Sequence, residues 1–209
     1  MPFRLVLTVD LPDGGKDHHL QHTIAYQMLE RELNEAFPGE NAISSLKRTV
    51  YGKPWLVTHP SWHFNISHCR TCVALVMDKR PVGIDVEKRF EWKDGLARRV
   101  CHDEEWAFLG TIADPSVRRA WLQRIWSRKE SYLKCIGSGF HTQVQSFSVL
   151  DSRNDRTDRQ NITFSGVPEP IEKPSACICT GEGFFRFIEW QTRDYTLCIC
   201  RQNPDGPAK

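Results

Sequence analysis

The chain contains no apolar run that approaches the length of a membrane span. Its opening stretch, MPFRLVLTVDLPDGG, lacks a basic leading region and a small-residue cleavage site, and Asp10 interrupts its apolar residues early. It reads as a first strand and not as a signal peptide. Neither sign of charge is in excess: 28 Lys and Arg face 26 Asp and Glu, a net +2 that calls for no nucleic-acid partner. No internal repeat is present. These absences leave an expectation of a soluble, cytoplasmic protein with neither membrane nor nucleic acid among its partners. What remains is an ordinary globular composition, 40% hydrophobic over 209 residues, enough for one large domain or two small ones.

A disulfide framework is missing too. The chain has eight cysteines, but their spacing is not that of a small secreted scaffold, so reduced thiols are expected. Cys177-x-Cys179 and Cys198-x-Cys200 offer four thiolates that could bind zinc. Both pairs lie in stretches that read as strands, where alternate residues share a face. Small buried residues on paired strands are the other reading.

The hydrophobic pattern places the elements. FRLVLTV reads as a strand. DHHLQHTIAYQMLERELNEAF reads as a helix, with Leu20, Ile24, Met28 and Leu33 at helical spacing and Pro38-Gly39 as its stop. YGKPW is a turn that holds Lys53. WHFNIS, CVALVMD and PVGIDVE are strands, the last two joined by a turn at 78–81 and read as a hairpin. DGLARRVCHDEEWAFLGTI is helical, with Asp103 either in an acid-rich first turn or at a break. VRRAWLQRIWSRKESYLKCI is the longest helix, preceded by Asp114-Pro115-Ser116 and closed by Gly137 and Gly139. QSFSVLD is a strand, residues 151–175 form a polar, proline-rich excursion, and SACICT, FFRFIEWQ and YTLCICRQ are closing strands. Strands dominate, and helices interrupt them without regular alternation, so the expected class is α+β.

Three places carry chemistry. VGIDVE sets Asp85 and Glu87 two residues apart on a strand, hence on one face. Like charges that close repel unless something neutralises them. A cation does so, and oxygen ligands favour magnesium, with manganese possible. The alternative is a strand end leaving the sheet, both carboxylates in solvent beside Lys88 and Arg89. On the long helix, Trp126, Glu130 and Lys134 form one stripe beside the apolar residues Leu122, Ile125, Leu133 and Ile136. Glu130 could supply a third carboxylate and Lys134 could meet a phosphate; otherwise they are a surface ion pair worth roughly a few tenths of a kcal/mol. FNISH ends a strand on Ser67 and His68, either of which can donate to phosphate. A polar strand end is the plainer reading. Nucleophilic serine chemistry finds no G-x-S-x-G elbow.

GKP, FNISH, VGIDVE and WSRKESYLKCIGSGF, in this order and at these intervals, resemble the Sfp-type 4'-phosphopantetheinyl transferases over about residues 51–149. The resemblance implies a fold of two similar α/β halves about a pseudo-twofold with the active site between them. The boundary would lie near Pro81, giving halves 1–81 and 82–209. It implies transfer of phosphopantetheine from coenzyme A to a serine of an apo acyl or peptidyl carrier protein, with release of 3',5'-ADP, by a monomer. Asp85, Glu87 and Glu130 would hold magnesium, and Glu130 and Lys134 would be catalytic. Lys53, Ser67, His68, Asp85, Lys129, Lys134 and Thr23 would bind coenzyme A. Trp126 and Glu105 would support. A basic helix face of Arg118, Arg119, Arg124, Arg128 and Lys129, with Arg98 and Arg99 upstream, would steer an acidic carrier.

The chain departs from the pattern before its first helix. DGGKDHHLQHT has one lysine and three histidines where a basic cluster is expected, and His22 stands in an arginine's place. Weaker or pH-dependent affinity for coenzyme A follows, since histidine is mostly neutral at pH 7. His18 and His22, one helical turn apart, could instead hold a metal. Cys69 replaces a usual serine, and Cys101 a usual aromatic. Two other functions stand beside this one: a magnesium-dependent phosphohydrolase using the same three carboxylates, and a non-catalytic carrier-binding homologue, against which the intact set of Asp85, Glu87 and Glu130 argues.

Overall fold

The computed structural model describes residues 4–9, 11, 17–70, 72–89, 91, 93–139, 142–151, 176–191, 194–203 and 206. The first elements are β1 (Arg4–Val9) and α1 (His18–Ala36), then a short 3-10 turn and the small hairpin of β2 (Leu46–Arg48) and β3 (Pro54–Leu56). β4 (His63–Cys69), β5 (Cys72–Asp78) and β6 (Val82–Lys88) precede three helices, α2 (Asp94–Val100), α3 (Asp103–Gly110) and α4 (Pro115–Ile136). β7 (Ala176–Thr180), β8 (Gly183–Gln191) and β9 (Tyr195–Gln202) complete the order. The excursion expected over 151–175 lies outside the described residues, apart from Asp151. No described helix is long and apolar enough to cross a membrane.

Local chemistry sets the helix ends. The Asp17 side chain accepts from the His19 and Leu20 N–H groups at the start of α1. Asp114 does the same for α4, with Pro115 at the first helical position, and Gly137 ends that helix at φ 76°, the left-handed region glycine enters at little cost. The acid-rich stretch after Asp94 breaks in two. His102 caps α3, and Glu105 reaches back to the His102 N–H, a reciprocal cap that starts a new helix.

The strands form two main sheets, β1-β5-β4 and β6-β9-β8-β7, with β2-β3 a separate pair. β5 is buried along its whole length. One of its faces, Val73, Leu75 and Met77, packs with Ala25, Met28, Leu29 and Leu33 of α1. Its other face, Cys72, Ala74 and Val76, packs with Val82, Ile84 and Val86 of β6 and Leu197 and Ile199 of β9. The opposite face of the second sheet, including Phe185, Phe187, Cys198 and Cys200, packs with Trp121, Leu122, Ile125 and Leu133 of α4. The layers therefore run α1, first sheet, second sheet, α4. The mixed helix and sheet content agrees with the α+β expectation.

Two expectations need correction. β5 and β6 are not a hairpin: β5 pairs with β1 and β4, whereas β6 pairs with β9. The turn after Asp78 carries the chain from one sheet to the other, because apolar faces of both strands are buried against each other and not edge to edge. QSFSVLD is not a strand. It holds a 3-10 turn at Val144–Ser146 and then irregular backbone. Side chains replace a ladder there: Lys129 donates to the Val144 and Phe147 carbonyls, Arg128 to the Val149 carbonyl, and Glu105 accepts from the Val149 N–H. The two cysteine pairs do lie on strands, and among the described residues they form no four-thiol zinc arrangement. β8 lies between β7 and β9, and while Cys198 and Cys200 are buried, Cys179 is exposed.

Candidate active site

β6 is an edge strand, and its edge faces β4. β9 takes its ladder on one side; on the other, the Ile84 N–H donates to Asn65 Oδ1 at 2.9 Å and the Val86 N–H to Ser67 Oγ at 3.2 Å. Two β4 side chains thus satisfy buried groups that a neighbouring strand would otherwise satisfy. Strand alternation turns Val82, Ile84 and Val86 to the first sheet and Gly83, Asp85 and Glu87 towards α4. Gly83 permits the approach of α4: a Cβ there would stand 2.1 Å from the Ser131 carbonyl oxygen and 2.3 Å from the Cys135 nitrogen.

Helix and strand are then close enough for their charged groups to meet. Lys134 Nζ lies 2.7 Å from Asp85 Oδ1 and donates to Ser67 Oγ at 3.1 Å. Trp126 Nε1 donates to Glu87 Oε1 at 3.3 Å, and Gln123 donates to the Glu87 and Lys88 carbonyls. Asp85 is 2% exposed and Glu130 8%. Burial, with Asp85 nearby, pushes the Glu87 carboxyl up to about 7. Burial and Asp85 also raise Glu130, against the pull of Lys134.

Among the described residues, no three carboxylate, imidazole or thiol side chains form a ready ion cage. The Lys134 ammonium offsets the Asp85 charge. The donor set nevertheless fits a hard cation, because Asp85 Oδ2 and Glu130 Oε1 are buried and accept no hydrogen bond among the described residues. Buried carboxylate oxygens left so, beside a third carboxyl that resists ionising, are an arrangement an oxygen-seeking divalent ion would stabilise.

The other expected residues divide. Ser67 joins the group. His68, on the next position, is exposed, with its ring 6.4 Å from that of His18. Partial burial, then His18, Lys134 and His22, hold the His68 imidazole below its ordinary range. Lys53 Nζ donates to the Cys135 carbonyl at 2.7 Å and to the Val82 carbonyl at 3.4 Å, so it ties the β2–β3 turn to the end of α4 and the start of β6. Burial lowers its pKa. Thr23 is exposed on α1 and donates to the His19 carbonyl. Lys129 is not brought to the carboxylates. It is fully buried, 2.7 Å from Glu105, itself fully buried.

The basic helix face is a correction. Arg124 and Arg128 turn inward, Nη2 of each within 2.9 and 2.8 Å of Glu189, and Arg124 stacks on Trp121. Arg118 donates to the Ile112 carbonyl, and Arg119 pairs with Glu91. Arg98 and Arg99 remain exposed. The charge pattern misled because Glu189, which draws two arginines in, is remote in sequence. Asn65, Gln123 and Gly83 are site-building residues that the sequence reading missed. Asn65 left one signal, an amide amid the apolar residues of FNISH.

The family model described as "4'-phosphopantetheinyl transferase superfamily" matches residues 81–200. The chain is similar to a 4'-phosphopantetheinyl transferase of Bacillus subtilis, 35% identical over 155 residues, covering 74% of this chain and 62% of that protein. It is similar to the 4'-phosphopantetheinyl transferase Sfp of Bacillus subtilis (strain 168), 36% identical over 157 residues, 75% of this chain and 62% of that one. A human L-aminoadipate-semialdehyde dehydrogenase-phosphopantetheinyl transferase is 30% identical over 113 residues, 48% of this chain and 37% of its own length. The chain thus spans about three fifths of the length of the bacterial relatives it matches.

Proposed function

The chain belongs to the 4'-phosphopantetheinyl transferase superfamily, and from that premise we propose that it moves 4'-phosphopantetheine from coenzyme A to a serine of an apo acyl or peptidyl carrier protein, releasing 3',5'-ADP. The observation that carries the reading is the pair of buried carboxylate oxygens, Asp85 Oδ2 and Glu130 Oε1, which accept no hydrogen bond among the described residues and lie beside Glu87 and Lys134. Asp85, Glu87 and Glu130 would hold magnesium, or manganese in its place. Such an ion supplies charge neutralisation to a pyrophosphate when bound.

The chain's own residues do the rest. Transfer of this kind needs positioning and charge stabilisation more than covalent help, since the attacking hydroxyl belongs to the partner. Lys134, held between Asp85 and Ser67, would donate to a phosphate oxygen and to the departing group. Glu130, with one oxygen that accepts no hydrogen bond among the described residues and a raised pKa, is the group suited to take the serine proton. His68, held below its ordinary range, meets phosphate as a neutral N–H donor at pH 7. Lys53 sits at the seam and would join the phosphate grip. Thr23 would reach the nucleotide from α1. Lys129 and Glu105 act indirectly, by fixing residues 144–149 against α4.

The two sheets support a division at Pro81, with α1 outside the first and α4 outside the second. We read these as halves 1–81 and 82–209 about a pseudo-twofold, in a cytoplasmic monomer. The test is direct. The protein is incubated with coenzyme A, magnesium and each of several apo carriers, and each carrier is weighed by mass spectrometry. A phosphopantetheine adduct is expected with at least one carrier, and none with Asp85→Asn or Glu130→Gln at unchanged circular dichroism. No adduct on any carrier would sink the reading.

A further inference from the structure

Cys69 and Cys72 close the turn between β4 and β5, and they are opposed partners in the antiparallel ladder. Directly opposed residues in such a ladder lie roughly 4.5–5.5 Å apart at Cα. That interval falls inside the roughly 4.4–6.8 Å that a disulfide spans. Opposed residues also point to one face, and both side chains pack into the same apolar cluster between the sheets. We propose that this pair is a redox modification site: under a peroxide, Cys69 and Cys72 close an intrachain disulfide that resets the end of β4 carrying Ser67 and His68.

The two thiols differ in a way that orders the steps. Cys69 is partly exposed, while Cys72 is fully buried and its thiol is pushed up to about 12 by burial. Oxidation therefore starts at Cys69. The Cys69 thiol gives up its proton, its thiolate sulfur attacks a peroxide oxygen, the O–O bond breaks, and the departing hydroxide takes up that proton, which leaves sulfenic acid and water. The Cys72 sulfur then attacks the Cys69 sulfur, its proton leaves with the hydroxyl as a second water, and the S–S bond closes. Two thiols and one hydrogen peroxide give one disulfide and two waters, with two electrons passing from sulfur to oxygen.

The other cysteines contrast with this pair. Cys135 and Cys200 are also neighbours, but they are 2% and 0% exposed and screened from oxidant. Cys177 and Cys179 are alternate residues of one strand, not opposed partners. The strand end that Cys69 and Cys72 control is tied to α1. The Cys69 carbonyl accepts from Gln21 Nε2 at 3.4 Å, and the His68 ring lies against His18. Drawing the two sulfurs together shifts that end relative to α1, and with it the phosphate donors. This coupling rests on the proposed coenzyme A site; the chemistry of the pair does not.

The test uses the whole protein and hydrogen peroxide. Oxidised protein should weigh about 2 Da less, the mass of two hydrogens. Trypsin cuts after Arg70, between the two cysteines, so the fragments on either side of that cut should stay joined until a reductant is added. Cys69→Ser should lose both signatures. Coenzyme A affinity, measured by calorimetry and not by transfer, should fall about threefold or more on oxidation and recover on reduction, and Cys69→Ser should not respond. Thiols at both positions that still alkylate after oxidation, or joined fragments that persist in Cys69→Ser, would overturn the disulfide. A disulfide with unchanged affinity would overturn the coupling. No coenzyme A binding even to reduced protein counts against the proposed function, and leaves the mass and fragment results to decide the pair.

Discussion

Glu87 has an ordinary carboxyl range near 4.5 but stands at about 7 in the fold, because burial and Asp85 both oppose its charge. Its folded pKa is raised, so the fold binds its proton more tightly than the unfolded chain does. Stability from this group is therefore present below pH 4.5 and lost as pH climbs through 7. Glu130 shifts in the same direction and adds to the slope. Glu189, lowered by Arg124 and Arg128 against its burial, acts in more acid solution and leaves this window untouched. His63 and His68, held below their ordinary range chiefly by burial, oppose this slope, so the Glu87 contribution is read against a Glu87→Gln variant: between pH 5.5 and pH 8 the metal-free parent should lose on the order of 3 °C more than that variant, and magnesium should restore most of that difference at pH 8. Thermal unfolding with and without magnesium checks this, and Glu87→Gln should flatten the slope. Lys129 makes a second case. Its ammonium is committed to Glu105, so Lys129→Met should cost about 3 kcal/mol in denaturant unfolding, limited by protonation of Glu105. The KM for coenzyme A of the folded variant should stay within about twofold of the parent. A large KM rise at unchanged stability would return Lys129 to the coenzyme.

α4 and β6 form the element pair on which the site depends. The stripe of Trp126, Glu130 and Lys134 was legible from helical spacing alone, and so was the shared face of Asp85 and Glu87. Their contact was not, since it depends on Gly83, where two backbone atoms of α4 occupy the space of a side chain. Gly83→Ala must push helix and strand apart, because the obstructing atoms are backbone and cannot swing away. We expect a loss of about 3 kcal/mol in stability and a fall in transfer well beyond what the unfolded fraction explains. Denaturant melts and carrier mass shifts on the same samples separate the two effects. The failed QSFSVLD strand carries the same lesson in reverse. Its pattern suited a strand, but Lys129, Arg128 and Glu105 claimed its backbone groups first.

Over the described residues the two main sheets press together between α1 and α4, with the candidate site along the line where β4 meets the edge of β6. Asn65 and Ser67 bridge that line. Asn65→Leu keeps similar bulk but strands the buried Ile84 N–H, so it should cost about 1–3 kcal/mol. It should also lower the transfer rate more than it alters the KM for coenzyme A, since it loosens the alignment of β4 against β6. Steady-state kinetics at several coenzyme A concentrations would show the split. A pure stability loss with normal kinetics would mean that the bridge serves only the fold.

The residues able to do chemistry, and most of the elements that bear them, were legible in local pattern. Alternation and helical spacing are local properties, so Asp85 with Glu87, and Trp126 with Glu130 and Lys134, were readable without coordinates. The tertiary structure alone decided which charges stay in contact with water. Arg124, Arg128 and Lys129 look like a basic surface along the helix, yet Glu189 and Glu105 draw them into the interior. It also decided that β6 leaves β5 for β9, with the apolar faces of β5 and β6 buried against each other. Burial and ion pairing depend on partners distant in sequence, and no local pattern encodes their approach.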